Sequence, residues 1–239
     1  MRLLACLAAL LVALPAWAAA DAQSEALWQR ADALMQHNQY QQALPLLLDA
    51  AERGHPRAQA ALGNLYAGDT QGHSKHGIPY DMTKAMYWYG KAAAQGHRFG
   101  EYGLANGYML GLGGLPVDQV KASQLFESSA QKGLVDAQEA IGMSYELGRG
   151  VPHDRAKAIA WARAAQQQGD YFAGAFAKIL ENPNTPTFRN MDDMFGFFVG
   201  VFSYCWRGQF PKPLGRDPIN PNYEIWLHVA PNWRDSYCR

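Results

Sequence analysis

Three stretches of this chain spell one sentence. GIPYDMTKAMYWYGKAAAQG runs from Gly77 to Gly96, GLPVDQVKASQLFESSAQKG from Gly114 to Gly133, and GVPHDRAKAIAWARAAQQQG from Gly150 to Gly169. The closing glycines, with Gly54 upstream, stand roughly 36–42 residues apart, a period that belongs to stacked helical hairpins. One such hairpin cannot bury its own apolar face. A chain built from copies of it has to pile them side by side.

Each copy follows the same grammar. Four positions past a closing glycine stands Ala58, Gly100, Ala137 or Ala173. Eight past it stands Leu62, Leu104, Ile141 or Ala177, and twelve past it Tyr66, Tyr108 or Tyr145. Steps of four stay on one helical face, which predicts a first helix, A, in every hairpin. Glycine-rich turns follow, LGLGG at Leu110–Gly114 and LGRG at Leu147–Gly150, where glycine supplies positive φ. Next comes P-x-D-x-x-K-A. Pro79, Pro116 and Pro152 keep the turn from extending the previous helix. Asp81, Asp118 and Asp154 are predicted N-caps of a second helix, B, with Lys84, Lys121 and Lys157 in reach of them. Ala85, Ala122 and Ala158 open the buried face, and Trp88, Leu125 and Trp161 fill the next slot. The closing glycine predicts a left-handed end to helix B. A weaker copy stands upstream, with Ala43 and Leu46 before Gly54 and a helix A over residues 25–39 whose apolar face holds Leu27, Ala31 and Leu34. A further helix A runs from Asp170 to Leu180, ended by Asn182 and Pro183.

These residues resemble the Sel-1-like repeat family, relatives of the tetratricopeptide repeats. The most specific elements are ALGNLY (Ala61–Tyr66), GRGVPHDRAKAIAW (Gly148–Trp161) and AAQQQG before Asp170, within a resemblance that spans Gln23–Leu180. The second unit departs from the pattern with GLANGYMLGLGG and Leu125, and the first carries an insertion, DTQGHSKH, at Asp69–His76. The resemblance implies an all-α fold, a right-handed α-solenoid. Its hairpins fall at about 24–54, 55–96, 97–133 and 134–169, with an extra helix at 170–181. It also implies adaptor roles: scaffolds of envelope assembly, regulators of exported enzymes, and immunity proteins. Cysteine-rich secreted relatives imply the alternative, a hydrolase directed at cell wall or β-lactam. Those carry a cysteine pair in each hairpin, and the repeats here carry none.

The two ends read differently. Arg2, the apolar run Leu3–Leu14, Pro15 and the small residues of AWAAAD make residues 1–20 a signal peptide cleaved after Ala18 or Ala20. The expected destination is the periplasm. Cleavage removes Cys6 and leaves Cys205 and Cys238, and an even pair in an exported chain argues for a disulfide. In residues 181–239, Asn190 is a predicted cap for a helix over Met191–Arg207 that covers the last hairpin, with an apolar stripe of Met191, Phe195, Phe198, Phe202 and Cys205. A proline- and aromatic-rich tail follows. In it Tyr223–Val229 fits a strand by alternation and a short helix by its Asn220–Pro221 start.

Chemistry is sparse. Lys and Arg number 21 and Asp and Glu 21, for a net charge of zero, so the basic excess of a nucleic-acid binder is missing. No phosphate-binding glycine loop and no G-x-S-x-G elbow occurs. His73 and His76, with Asp69 and Asp81 near them, read as a polar loop. No catalytic residue, metal or cofactor is expected. The expected working surface is the side of helix A away from the core, at offsets three, six, ten and thirteen from the closing glycine. These positions hold Arg57, Ala60, Asn64 and Ala67; Phe99, Tyr102, Asn106 and Met109; and Asp136, Glu139, Met143 and Glu146. In solenoids this side lines the inner groove, and its mixture of aromatic, methionine, amide and acid suits a protein partner, an envelope component or a secreted toxin. Membrane contact is the minor expectation.

Overall fold

The computed structural model describes residues 16–68, 74, 76–188, 190 and 192–194, with side chains from residue 22 onward. His73, most of the expected leader, Cys205, Cys238, the greater part of the expected cap helix and the whole tail lie outside the described residues. Among the described residues the regular structure is helical. Nine α-helices follow one another: α1 (Ala16–Gln36), α2 (Tyr40–Glu52), α3 (Pro56–Tyr66), α4 (Met82–Ala94), α5 (Arg98–Leu110), α6 (Gln119–Gln131), α7 (Val135–Leu147), α8 (Arg155–Gln167) and α9 (Tyr171–Glu181). The odd-numbered helices are helix A of successive hairpins and the even-numbered are helix B. Each packs on its neighbours in sequence, and α3 also meets α5 directly, as an α-solenoid requires. The first helix A is already helical at Ala16, the first described residue and ahead of the expected residue 25, and stops at Gln36 because Asn38 turns the chain at φ 58°.

The repeated letters do their work locally. Asp81, Asp118 and Asp154 each accept the backbone N–H three residues on, at 3.0, 2.9 and 3.0 Å, which satisfies an orphan donor of helix B. Their own amides donate to the carbonyls of Tyr66, Tyr108 and Tyr145 at 2.8–2.9 Å, tying the start of helix B to the end of helix A. The lysines face two ways. Lys84 and Lys157 reach the capping aspartates at 3.2 and 4.0 Å, whereas Lys121 donates to Tyr108 Oη at 2.7 Å. All three ammonium groups also stand over the tyrosine ring of their own hairpin, at 5.4, 4.2 and 4.9 Å from its centre. Gly54, Gly96, Gly133 and Gly169 have φ of 95°, 71°, 80° and 95°. At each, the following amide turns back to the helix B carbonyl five residues earlier, as His55 does to Ala50 and Asp170 to Ala165, the Schellman closure.

The interior falls into three clusters along the stack. Ala31, Ala43, Leu47, Leu62, Ile78 and Trp88 join α1 to α4. Ala122, Phe126, Ile141, Tyr145 and Leu180 join α6 to α9, and Phe188 and Met194 close that cluster beyond the last helix. Asn190 caps that end, accepting the amide of Asp193 at 2.9 Å. Ala85 and Met86 of α4 form the third cluster with Tyr89. Its ring is held between Gly63 of α3 and Gly103 of α5, where an added Cβ would come within 2.4 and 2.6 Å of it. Its hydroxyl donates to Asn64 Oδ1 at 2.5 Å, and burial pushes its phenol well above the ordinary value of 10.

A polar joint repeats at three successive junctions, and the middle one differs. Gln59 donates to the Ala51 carbonyl and accepts from Gln95; Gln138 donates to the Ala130 carbonyl and accepts from Gln168. The same two positions of the middle joint hold Glu101 and Lys132, paired at 2.5 Å. A carboxylate has no N–H to give. Glu101 Oε2, at the position from which the glutamines donate to the preceding helix, is buried with no hydrogen-bond partner. Restoring the amide pair with E101Q/K132Q is therefore expected to raise stability by about 1–2 kcal/mol, because it fills an orphaned acceptor site with a donor. A urea melt checks this, and a midpoint below wild type contradicts it.

Candidate protein-binding face

The stripe at offsets three, six, ten and thirteen is a shoulder of the core more than a free surface. Phe99, Tyr102, Met109 and Met143 are half-buried and pack against the α6–α9 cluster. Tyr102 lies 5.7 Å from the Phe126 ring, and Asn106 donates to the Tyr102 carbonyl at 3.1 Å. Phe99 sits beside His97, with the Arg98 guanidinium 5.1 Å from its ring centre. Burial first, then the charges of Arg57 and Arg98, hold the His97 imidazole below its ordinary value of 6.5. On α3, Arg57 is exposed and Asn64 is half-buried under the Tyr89 hydroxyl.

Glu146 is not on this face, contrary to the sequence expectation. It is fully buried. The turn after α7 brings Arg155, at the start of α8, back against it in a two-pronged pair, Nη2–Oε1 2.5 Å and Nε–Oε2 3.2 Å. His153 stands 3.7 Å away. Offset thirteen holds Ala67 and Met109 in the other hairpins, so position alone does not separate a groove residue from a buried ion pair.

Glu139 is the unusual group of the stripe. Asp136 lies one turn before it on α7, and Asp170 caps α9 through the Ala173 amide at 2.9 Å. Burial, then Asp170, then Asp136 push its carboxyl up from the ordinary 4.5 to about 8. Tyr102 belongs to the same cluster, its phenol raised by burial and by the charges of Asp136 and Glu139. Between pH 4.5 and about 8 the folded chain keeps a proton that the unfolded chain has released, so stability falls as pH rises through that window. Glu139→Gln is expected to flatten this slope and to be more stable than wild type at pH 8 but not at pH 4. Urea midpoints across that range test it, and parallel curves contradict it.

One residue of the stripe was overlooked in the sequence. Phe172 stands three past Gly169, the offset of Arg57, Phe99 and Asp136, and it is 47% exposed in an edge-on pair with Tyr171. Among the described residues no cluster of three or more His, Cys, Asp or Glu is placed to hold a metal ion. His76 stacks on Tyr40 at 3.6 Å between ring centres. No helix among the described residues is long and apolar enough to cross a membrane.

Comparison with known proteins agrees with this architecture. The Sel1 repeat family model matches residues 56–97, 99–134 and 135–170. A Sel1 repeat protein from Oxalobacter formigenes superposes with a TM-score of 0.56 at 30% identity, covering 68% of this chain and 47% of that one. A protective antigen with an SLR fold from uropathogenic Escherichia coli gives 0.59 at 27% identity, over 72% and 37%. Among curated relatives, the chitin synthase regulator SKT5 of Malassezia restricta is 31% identical over 126 residues, 52% of this chain and 8% of that protein. Chitin synthase regulatory factor 3 of Schizosaccharomyces pombe is 34% identical over 125 residues, again 52% of this chain and 13% of the relative. The chain thus spans only a small part of those relatives' length. With three matched repeats, a helical stack and Sel1-repeat structural neighbours, the chain carries three Sel1 repeats in a helical-repeat fold.

Proposed function

We propose that this protein is an exported, non-catalytic adaptor that grips another polypeptide along the helix A face. The observation that carries the reading is the stripe itself. Phe99, Tyr102, Met109 and Met143 are half-buried at the edge of a closed core, and the exposed Phe172 continues the row into α9. Aromatic and methionine side chains at the edge of a packed interior are the composition of protein interfaces. Two curated relatives are named as regulators of an enzyme, which supports action through binding.

The leader-like start, Arg2 followed by Leu3–Leu14, supports a periplasmic partner: an envelope component or a secreted toxin such as a phospholipase, against which the protein serves as an immunity factor. Mild crosslinking in intact cells, followed by recovery of the tagged full chain, tests this. A recovered lipase whose turnover drops on mixing with the purified protein is the expected immunity result. Recovery of envelope machinery assigns the scaffold role. A partner-free preparation that itself hydrolyses a β-lactam or peptidoglycan overturns the adaptor reading.

A further inference from the structure

We propose that the α3–α5 part of the helix A face holds the main chain of an extended partner segment, with Asn64 Nδ2 donating to one of its carbonyls and Asn106 Oδ1 accepting one of its amide N–H groups. This rests on the reading of that face as a protein-binding surface and names what the surface grips.

Three observations converge. The first is register. Asn64 and Asn106 both stand ten past a closing glycine, so they hold the same place on α3 and α5, which pack directly on each other. Asparagine is a poor residue within a helix, and two at one register ask for a reason beyond propensity. The second is the unused half of each amide. Asn64 Oδ1 accepts the Tyr89 hydroxyl at 2.5 Å, and Asn106 Nδ2 donates to the Tyr102 carbonyl at 3.1 Å. Among the described residues neither amide has a further partner, which leaves a donor on α3 and an acceptor on α5, each oriented by the bond its other half makes. The buried side-chain polar atoms without a partner among the described residues are His97 Nδ1 and Glu101 Oε2, so the open ends of these two half-buried asparagines reach solvent. The third is spacing. The Tyr89 ring, between Gly63 and Gly103, fixes α3 against α5. Packed helices lie about 8–10 Å apart, a distance an extended chain crosses in about three residues at ~3.3 Å each. Over that length a peptide backbone offers both a carbonyl and an N–H whatever its sequence. Tyr102 and Met109, one turn to either side of Asn106 and half-buried, receive apolar side chains of the same segment. Offset ten holds Met143 on α7, so the amide pair belongs to the α3–α5 half of the face.

The test selects phage-displayed random twelve-residue peptides on the immobilised full chain, then remakes the tightest one with a single backbone amide at a time replaced by an ester. The ester removes the N–H and keeps the side chain. At one position it is expected to weaken binding to wild type about three- to ten-fold. The same ester should change little against Asn106→Ala, which has already lost the acceptor. Asn64→Asp keeps an acceptor for Tyr89 and removes the outward donor, and it is expected to weaken the parent peptide by a similar factor. Thermal melts confirm that both variants fold, and the ester scan against wild type needs neither. If no ester weakens binding while Phe99→Ala does, the main-chain proposal falls and the binding face stands. If no peptide is selected, or binding survives Phe99→Ala and both asparagine variants, the face itself is overturned.

Discussion

Replacing Arg155 with alanine is expected to destabilise the protein by about 3–5 kcal/mol, the cost of stranding a buried charge. Glu146 is completely enclosed, and Arg155 is bonded to both its oxygens. The same guanidinium donates to the carbonyls of Thr185 at 2.9 Å and Pro186 at 2.7 Å. It therefore holds down the segment that carries Phe188 and Met194 into the core beyond α9. Alanine removes the counter-charge and the anchor together. For a chain of this size the melting temperature should fall by about 10 °C. Replacing both partners with apolar residues, as in E146L/R155M, should cost less than R155A alone, because no charge is then left buried. A loss under about 1 kcal/mol for R155A shows that water or His153 takes over the pairing, and the anchor account fails.

Gly103→Ala is expected to cost about 2–3 kcal/mol, at the upper end for overpacking. The ring of Tyr89 has Gly63 on one side and Gly103 on the other, with an alanine Cβ on either falling within 2.6 Å of ring carbons. The Asn64 bond at 2.5 Å prevents the ring from sliding away. Tyr89→Ala alone should cost about 3–5 kcal/mol through the cavity it opens. Once the ring is gone, adding Gly103→Ala should change little, within about 0.5 kcal/mol. That non-additivity separates a steric wedge from a general intolerance of side chains in α5. Tyr89 also sets the spacing of α3 and α5, so the same cycle measured by partner affinity reports whether that spacing matters to the face.

What could be seen in the sequence was what is decided within one hairpin. The aspartates at 81, 118 and 154, the turn glycines and Tyr66, Tyr108 and Tyr145 act on backbone within their own hairpin, so their spacing reveals them. What depends on a neighbouring hairpin was hidden. Tyr89 looks like any aromatic of helix B until Gly63 and Gly103 are brought to its two faces. Glu146 shares its offset with Met109 and differs only because Arg155 returns through a turn to meet it. The exchange of a Gln–Gln joint for Glu101–Lys132 was readable by register, and so was Phe172. Both needed the offsets followed through every copy, including positions that look like surface.

The central claim is that the helix A side, and not the helix B side, is the working surface. The most direct measurement places a photo-crosslinking amino acid at Phe99 or Phe172 on helix A, and at Tyr87 on helix B, which is 54% exposed, in otherwise unchanged full-length protein in its own cells. The account predicts a discrete adduct from positions 99 and 172 and none from 87. An adduct that forms from 87 while 99 and 172 stay silent contradicts it.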